Sequence, residues 1–427
     1  MNAEEQRRLI EELRHSSNCS HPIRLRGDMV NLATGEVGER TLKVACKDRR
    51  DALCPACSYL YRTDAWIIAS TGLTGGKGVP VEVQTHPQLF VTLTAPSFGA
   101  VHTVRENGRC VRRARGLVSC PHGHPTFCPR SHRDGDPLLG QPLCLECFDY
   151  DGAVLWNAHA SRLWSVTLQD IRRSISEAGG VARTRFSEVA QVHYLKVAEI
   201  QRRGLVHFHC LLRVDGPGAI DAEPPAWANE DLIAGVISTM VRRAWTTGLE
   251  GSRIEWGSVL DVQGLTNDSG EANKVAGYIA KYSTKTTDGS KDLARAFSSR
   301  RQIENLVDNP HLARLAQSAW DLGVRDELQP LRLPEHAHTL GFTGQLITKS
   351  RGYSLTFGEL RRARSEYMSA EREDDPIEGS FRYEGRGYDD PRGTQLAEFF
   401  FNAGRELRVE ARETSRDATS KGSDATA

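Results

Sequence analysis

Hydrophobic and polar residues alternate along residues 206–214, a pattern that predicts a half-buried β-strand. One face of this strand is wholly apolar and consists of Val206, Phe208, Cys210, Leu212 and Val214. The other face carries His207 and His209, because successive side chains of a strand point to opposite faces. We therefore expect the strand to pack one face on a core and to turn both imidazoles away from that core.

A second strand is predicted at residues 192–200, and residues 202–204 (Arg-Arg-Gly) suit a three-residue hairpin loop with a left-handed glycine. With this loop, Glu199 lies directly opposite His207, and directly opposed residues share a face of the sheet. Glu199, His207 and His209, here called the metal triad, would then offer one oxygen and two nitrogens to Mg²⁺, Mn²⁺ or Zn²⁺. The alternative is a pair of surface histidines on a half-exposed strand.

A helix predicted to begin near Glu271 carries Tyr278 and Tyr282, which are four residues apart and so lie on one face. Lys281 and Lys285 lie on the same side of this helix. A phenol is a weak nucleophile until its oxyanion is stabilised, and nearby ammonium groups can stabilise it and neutralise a phosphate. The alternative is an ordinary amphipathic helix with tyrosines at a core edge and solvated lysines.

Other periodic segments predict the remaining elements. Helices are expected at residues 1–17, 61–69, 156–175 and 229–247, and strands at residues 89–94 and 253–262. The strand at 89–94 places Thr92 and Thr94 on one face.

The chain has 427 residues, enough for about two or three domains. Its 55 basic and 55 acidic residues balance, which excludes a general polycation but leaves room for a local DNA-binding surface. No apolar run reaches membrane-spanning length, and the charged N-terminus lacks the apolar core of a signal peptide. We therefore expect a cytoplasmic protein without a membrane anchor, whose cysteines are metal ligands or thiols rather than disulfides.

The first group of cysteines predicts a structural zinc site formed by Cys19, Cys46, Cys54 and Cys57. Only the last two form a Cys-x-x-Cys pair, whereas zinc ligands usually come in close pairs. A redox pair or free buried thiols are the alternatives.

A second cysteine-rich segment, residues 100–150, also predicts structural zinc because its potential ligands are dense. The expected ligands are Cys120, Cys128, Cys144 and Cys147. His122 and His124 are competing ligands. The segment also contains Cys110 and His132.

Arginines are concentrated in the same cysteine-rich segment. We expect Arg112, Arg113 and Arg115 to contact the DNA backbone, because such contacts depend on clustered positive charge. Lys285, on the tyrosine helix, is a further expected DNA contact. A solvated basic face is the alternative.

The combination of motifs resembles the HUH endonuclease superfamily. Residues 90–94 look like its first motif, a strand that ends in Thr-Leu-Thr. Glu199, Arg203-Gly204 and the two histidines look like the second, and residues 277–282 match the two-tyrosine form of the third. More closely, residues 17–370 resemble the replication initiators of actinobacterial (Streptomyces-type) plasmids and integrative elements.

This resemblance implies an α+β fold, with an HUH-type antiparallel sheet flanked by helices and with zinc-binding cysteine-rich modules. The expected domains are an N-terminal zinc module at 1–70, an endonuclease core at 85–290 with a zinc module inserted at 100–150, a C-terminal subdomain at 291–372, and an acidic, disordered tail at 373–427. For the subdomain, origin binding is one hypothesis and a packing role is another.

The resemblance also implies a mechanism. Mg²⁺ or Mn²⁺ on the metal triad would activate a phosphate of origin DNA, and Tyr282 would attack first, with Tyr278 second and Lys281 stabilising charge. The products would be a 5′-phosphotyrosine and a 3′-hydroxyl that primes rolling-circle replication.

Origin DNA, single-stranded or in a cruciform or supercoiled form, is therefore the expected partner. Because the sequence has no ATPase signature, a host helicase is a second expected partner. The alternatives are a non-catalytic zinc-containing DNA-binding regulator and a metal hydrolase that uses water instead of tyrosine.

Overall fold

The computed structural model of the chain describes residues 3–104, 110–111, 118–265, 269–285, 292–372 and 377–423. Its helices are α1 (Ala3–His15), α2 (Pro55–Thr74), α3 (Tyr150–Ala178), α4 (Glu230–Arg243), α5 (Ser269–Thr284), α6 (Arg300–Leu306), α7 (Pro310–Leu322), α8 (Phe357–Arg372) and α9 (Arg392–Ser423). Its strands are β1 (Ile23–Asn31), β2 (Val37–Val44), β3 (Gln88–Thr94), β4 (Gln191–Ile200), β5 (Val206–Asp215), β6 (Trp245–Thr247), β7 (Arg253–Glu255), β8 (Leu260–Gly264), β9 (Ile347–Lys349) and β10 (Ile377–Arg386).

The helices and antiparallel sheets confirm the expected α+β class. Within the described ranges, no helix is both long and apolar enough to cross a membrane. The chain divides into two compact units, the first made of Met1–Thr63 and Gly358–Ala427 and the second of Asp64–Phe357.

The first unit contains a three-stranded sheet in the order β10-β1-β2. The buried Lys43 on β2 joins residues from both ends of the chain, since its Nζ lies 2.8 Å from Glu12 and 2.7 Å from Asp389. The tail expected at residues 373–427 differs from the structure, because β10 pairs with β1 and α9 follows it. Local composition could not reveal this strand, since its hydrogen-bonding partner lies at the opposite end of the sequence.

The second unit is built on a five-stranded antiparallel sheet, here called the central sheet, in the order β8-β3-β5-β4-β9. The hairpin of β4 and β5 has the expected register, in which Glu199 pairs with His207. Gly204 has a φ of +77°, the left-handed conformation that the three-residue loop requires. The strand alternation and loop composition therefore predicted this hairpin correctly.

One face of the central sheet packs on α3, α4 and α7 to form the main core. The apolar face predicted for β5 lies in this core, opposite residues of α3 such as Leu163 and Ile171. On β3, Leu89, Val91 and Leu93 point the same way. Burying these alternate residues is the main force that fixes the register, because a shift by one residue would expose all of them.

Two predicted elements are divided differently in the structure. The helix expected at 229–247 ends at Arg243, and Trp245–Thr247 forms β6. The strand expected at 253–262 is split into β7 and β8. Aromatic and β-branched residues such as those of β6 favour strands. Strands β6 and β7 pair with each other, so the end of the predicted helix and the start of the predicted strand form a local hairpin.

The segment 291–372 contributes directly to the central sheet. Its strand β9 pairs with β4 at one edge, and Phe342 is buried in the main core. Tyr353 is also fully buried, and its carbonyl accepts a hydrogen bond of 3.2 Å from the guanidinium of Arg213. These contacts support the packing role for the segment.

Candidate active site and metal centres

The face of the central sheet opposite the main core carries the metal triad and is here called the histidine face. The rings of His207 and His209 have centroids 4.6 Å apart, and Oε2 of Glu199 lies 3.5 Å from Nε2 of His209. On β3, Thr94 is the register partner of His207 and Thr92 that of His209. The hairpin therefore brings the triad onto one surface, with two threonine hydroxyl groups beside it.

Polar atoms on this face are buried without a partner. Among the described residues, Nδ1 of His207 and Oγ1 of Thr94 have no hydrogen-bond partner, and the contact of Nε2 of His209 with Glu199 is long, at 3.5 Å. Leaving such atoms unsatisfied is costly, and a bound ligand would satisfy them. Burial, reinforced by the neighbouring His209, lowers the pKa of His207 to about 3, which keeps this imidazole neutral as a metal ligand must be.

Glu199 is paired with a lysine that the sequence assigned to DNA contact. Nζ of Lys285 donates a hydrogen bond of 2.6 Å to Oε1 of Glu199. Burial alone would raise the pKa of Glu199, but His209 and Lys285 outweigh it and hold that pKa below its usual value. Glu199 is therefore a carboxylate, and one of its oxygens is occupied by an ammonium group.

The metal triad is more open than the cysteine sites of the same chain. Across the described residues, the groups whose donor atoms all lie within 4.8 Å of one another each contain cysteine, and the triad is not among them. Its donor chemistry, with two imidazoles and one carboxylate, fits a divalent ion. A bound ion would draw the three side chains closer together than they lie here.

Helix α5 places both tyrosines over the histidine face. The ring of His209 lies 4.9 Å from that of Tyr278 and 5.0 Å from that of Tyr282, measured between centroids. The two phenol rings are 4.6 Å apart. Phe90 on β3 supports this arrangement, because its ring stacks on His209 and meets Tyr278 edge-on.

The two tyrosines differ in their electrostatic surroundings. The ammonium groups of Lys281 and Lys285 each lie 5.5 Å from the ring centroid of Tyr282. Burial raises the pKa of Tyr278, and Tyr282 and Glu199 raise it further. Positive charge thus surrounds Tyr282, whereas the environment of Tyr278 opposes ionisation.

The N-terminal cysteines converge as the sequence predicts. Sγ of Cys19 lies 3.7 Å from Sγ of Cys54, and Sγ of Cys46 lies 3.6 Å from Sγ of Cys57. Ligands of a tetrahedral zinc ion with Zn–S bonds of about 2.3 Å would be about 3.8 Å apart, far beyond the length of a disulfide. The spacing therefore fits zinc, and the isolated positions of Cys19 and Cys46 in the sequence do not prevent it.

The second cysteine-rich segment forms two groups rather than one. The Cys₃His cluster consists of Cys120, His122, Cys144 and Cys147. Cys128, the fourth cysteine that the sequence assigned here, is not part of it, because His122 takes its place with Nδ1 3.3 Å from Sγ of Cys147. A smaller group, His124, Cys144 and Glu146, shares one cysteine with this cluster.

Cys128 belongs to a separate Cys₂His₂ cluster formed by His102, Cys110, Cys128 and His132. Sequence reasoning missed this group and did not consider His102. The spacing Cys128-x-x-x-His132, which is common in zinc sites, is the signal that could have indicated it.

Three of the four residues expected to contact DNA cannot be placed. Arg112, Arg113 and Arg115 lie outside the described residues. Lys285 is described and is joined to the metal triad.

Comparisons with known proteins confirm the resemblance to replication initiators. A family model described as "Replication initiator protein, pSAM2" matches residues 5–400. A replication initiator protein of Streptomyces ambofaciens is 34% identical over 387 residues, which cover 84% of this chain and 80% of that protein. No solved structure matches the chain significantly. The matched residues include the histidine face, α5 and all three cysteine clusters.

Proposed function

Because the chain belongs to the pSAM2 family of replication initiator proteins, we propose that it starts rolling-circle replication by nicking origin DNA with a tyrosine. In this proposal the central sheet is an HUH-type sheet. The chain is an endonuclease that acts on single-stranded origin DNA, or on strands exposed in a cruciform or supercoiled origin. A host helicase would extend the unwound region, since the sequence has no ATPase signature.

The packing of both tyrosine rings on His209 is the observation that carries this proposal. Nucleophilic catalysis needs the attacking group and the groups that polarise the phosphate within reach of one reacting atom. A phosphate lying between the metal triad and α5 would meet both. An ordinary surface helix does not require two phenol rings to pack on one buried imidazole.

Tyr282 is the proposed first nucleophile. Its phenolic oxygen attacks phosphorus and loses its proton, while the bond from phosphorus to the 3′ oxygen breaks and that oxygen gains a proton. The products are a 5′-phosphotyrosine and a 3′-hydroxyl, and no further reactant is needed. Lys281 and Lys285, both beside the Tyr282 ring, would stabilise the negative charge that develops.

Glu199, His207 and His209 are the proposed ligands of Mg²⁺ or Mn²⁺. When bound, the ion would polarise the scissile phosphate as a Lewis acid. The neutral state of His207 and its buried, unpartnered Nδ1 support this assignment.

Two tyrosines on one helix face suit a two-step reaction. While Tyr282 is linked to DNA, Tyr278 lies one turn away and is available for a second cut. The stored phosphodiester bond energy would then let the strands be rejoined without ATP.

Zinc is the proposed structural cofactor of the N-terminal and Cys₃His clusters. Its folding role would be to fix segments that have little apolar core of their own. Arg112, Arg113 and Arg115, which follow Cys110 in the sequence, are proposed to contact the DNA backbone.

The test is incubation of the full chain with labelled single-stranded origin-region DNA and Mg²⁺ or Mn²⁺, followed by denaturing gel electrophoresis. We expect a protease-sensitive protein–DNA band that is absent for a Tyr278→Phe, Tyr282→Phe double variant. Tyr194→Phe is the matched control, because it removes a phenol that packs on Trp164 on the core side of the sheet.

The other outcomes separate the alternatives. Cleavage without a protein adduct would favour a hydrolase that uses water, and binding without cleavage would favour the non-catalytic regulator. His207→Ala should lose metal-dependent cleavage and keep DNA binding.

A further inference from the structure

The ligands of the two clusters in the inserted segment alternate along the chain. His102 and Cys110 of the Cys₂His₂ cluster come first, followed by Cys120 and His122 of the Cys₃His cluster. The order then repeats. The second pairs are Cys128 with His132 and Cys144 with Cys147. Each cluster therefore closes a loop that contains part of the other.

The donor atoms of the Cys₂His₂ cluster lie close to the spacing of a tetrahedral metal site, although the two nitrogens are slightly nearer to each other. Nδ1 of His102 lies 3.1 Å from Nε2 of His132 and 3.7 Å from Sγ of Cys110, and Sγ of Cys128 lies 3.5 Å from Nε2 of His132. Zinc bonds of about 2.0–2.1 Å to nitrogen and 2.3 Å to sulfur require ligand separations of about 3.3–3.8 Å. The two cysteines and His132 are buried, so water does not compete for them.

A carboxylate orients one of these ligands. Nδ1 of His132 lies 2.6 Å from Oδ2 of Asp136, which leaves Nε2 directed toward the cluster. Metal-binding histidines usually make such a contact through the second ring nitrogen, because it fixes the tautomer and the ring orientation. Oδ1 of Asp136 in turn accepts a hydrogen bond of 2.9 Å from the backbone N–H of Leu138.

Backbone hydrogen bonds join the two clusters, and an arginine side chain connects the segment to the hairpin of β4 and β5. His102 exchanges backbone hydrogen bonds with Gly140 and Gln141, just before Cys144 of the Cys₃His cluster. The guanidinium of Arg202, in the loop between β4 and β5, donates to the carbonyl of Asp136 at 3.3 Å.

We propose that residues 102–147 form a two-zinc module with interleaved ligands, in which His102, Cys110, Cys128 and His132 hold a zinc ion of their own. Asp136 is a positioning residue for His132. Arg202 of the loop between β4 and β5 contacts this module. Interleaving makes the two sites depend on each other, because loss of either ion releases a loop that carries ligands of the other.

The test is the zinc content of the purified full chain, measured by inductively coupled plasma mass spectrometry. This measurement needs neither DNA nor catalytic activity. With the N-terminal cluster, the proposal predicts three zinc ions per chain. A Cys110→Ser, Cys128→Ser double variant should lose at least one of them. Cys210→Ala is the control, since this buried cysteine belongs to the main core and should leave the zinc content unchanged.

Two further variants keep the test decisive if the double variant folds poorly. His132→Cys should retain the zinc content, and after cobalt substitution its absorption should shift as expected for one more thiolate ligand. Asp136→Asn should speed the release of zinc to a coloured chelator. Wild-type zinc content in the double variant would overturn the Cys₂His₂ site.

The interleaving has its own readout. Cys120→Ser with Cys144→Ser removes ligands of the Cys₃His cluster and none of the Cys₂His₂ cluster. In the cobalt-substituted chain, this variant should also release the metal of the Cys₂His₂ cluster faster, as followed by the cobalt absorption. Release at the wild-type rate would contradict the interleaved module.

Discussion

Lys285 and Glu199 form an ion pair, with Nζ of the lysine 2.6 Å from Oε1 of the carboxylate. The same ammonium group lies 5.5 Å from the ring centroid of Tyr282. Lys285 therefore stands between a proposed metal ligand and the proposed nucleophile. A divalent ion that uses Glu199 has to compete with this ammonium group for the carboxylate.

Because of this competition, we expect the Lys285→Met variant to bind the proposed catalytic metal more tightly than the wild type does. A partly exposed ion pair contributes up to about 1 kcal/mol, so apparent affinity should rise by up to about fivefold. Mn²⁺ titration followed by electron paramagnetic resonance would measure the change. Lys281→Met is the matched control, because it removes the same charge at the same distance from Tyr282. Equal effects of the two substitutions would argue against the specific competition.

Tyr278→Phe should separate the two proposed cuts. The first nick should persist, because Tyr282 keeps its position beside both lysines. Strand transfer that requires a second cut should be lost. A two-oligonucleotide rejoining assay would show this, and loss of the first nick in this variant would reverse the assignment of the two tyrosines.

Gly204→Ala should destabilise the hairpin that aligns the metal triad. A left-handed conformation costs a non-glycine residue about 1–2 kcal/mol. The added Cβ would also lie 2.1 Å from Cδ1 of the buried Leu315, which adds about 1 kcal/mol or more for overpacking. Gly180→Ala is the control, since its φ is also positive but nothing lies within 4 Å of its added Cβ. Urea unfolding should show the larger loss for Gly204→Ala, and equal losses would contradict the role assigned to the contact.

Lys196 should lower the stability of the folded chain below about pH 8. Burial lowers the pKa of this lysine to about 8, and its Nζ lies 3.9 Å from the ring centroid of Phe208. Between about pH 8 and the ordinary lysine pKa of 10.5, the unfolded chain binds the proton more readily, so the stability of the fold rises with pH. Below pH 8 the buried charge of Lys196 destabilises the fold to its full extent, and above pH 10.5 this destabilisation is absent.

Lys196→Met should therefore stabilise the chain at pH 7 by about 1–3 kcal/mol, after allowance for the lost cation–π contact. The gain over wild type should shrink as the pH rises above 8. Lys43→Met provides the contrast, because Lys43 is buried with carboxylate partners and its loss should destabilise. Denaturant unfolding across pH checks both, and a gain that is independent of pH would contradict the assignment.

The sequence predicted the features that depend on local pattern. Strict alternation on β5 and the Arg-Arg-Gly loop were enough to pair Glu199 with His207, because a hairpin fixes its own register. The spacing of Tyr278 and Tyr282 predicted one helical face, because residues four apart are neighbours on a helix.

Features that depend on distant contacts were missed. Strand β9 has three residues and no readable periodicity, so its pairing with β4 could not be foreseen. The position of Lys285 against Glu199 depends on how α5 packs on the sheet. The division of the cysteines between two clusters depends on turns in the segment 100–150, which spacing alone does not determine.

The most direct measurement of the central claim is to locate the DNA adduct on the chain. After reaction with a short origin oligonucleotide, the protein would be digested with nuclease and trypsin and examined by peptide mass spectrometry. Trypsin cleaves after Lys274, Lys281 and Lys285, so Tyr278 and Tyr282 fall in separate peptides. We predict that the peptide 282–285 carries a nucleotide linked through its 5′ phosphate to Tyr282. Cleaved DNA with neither tyrosine modified would contradict the tyrosine mechanism.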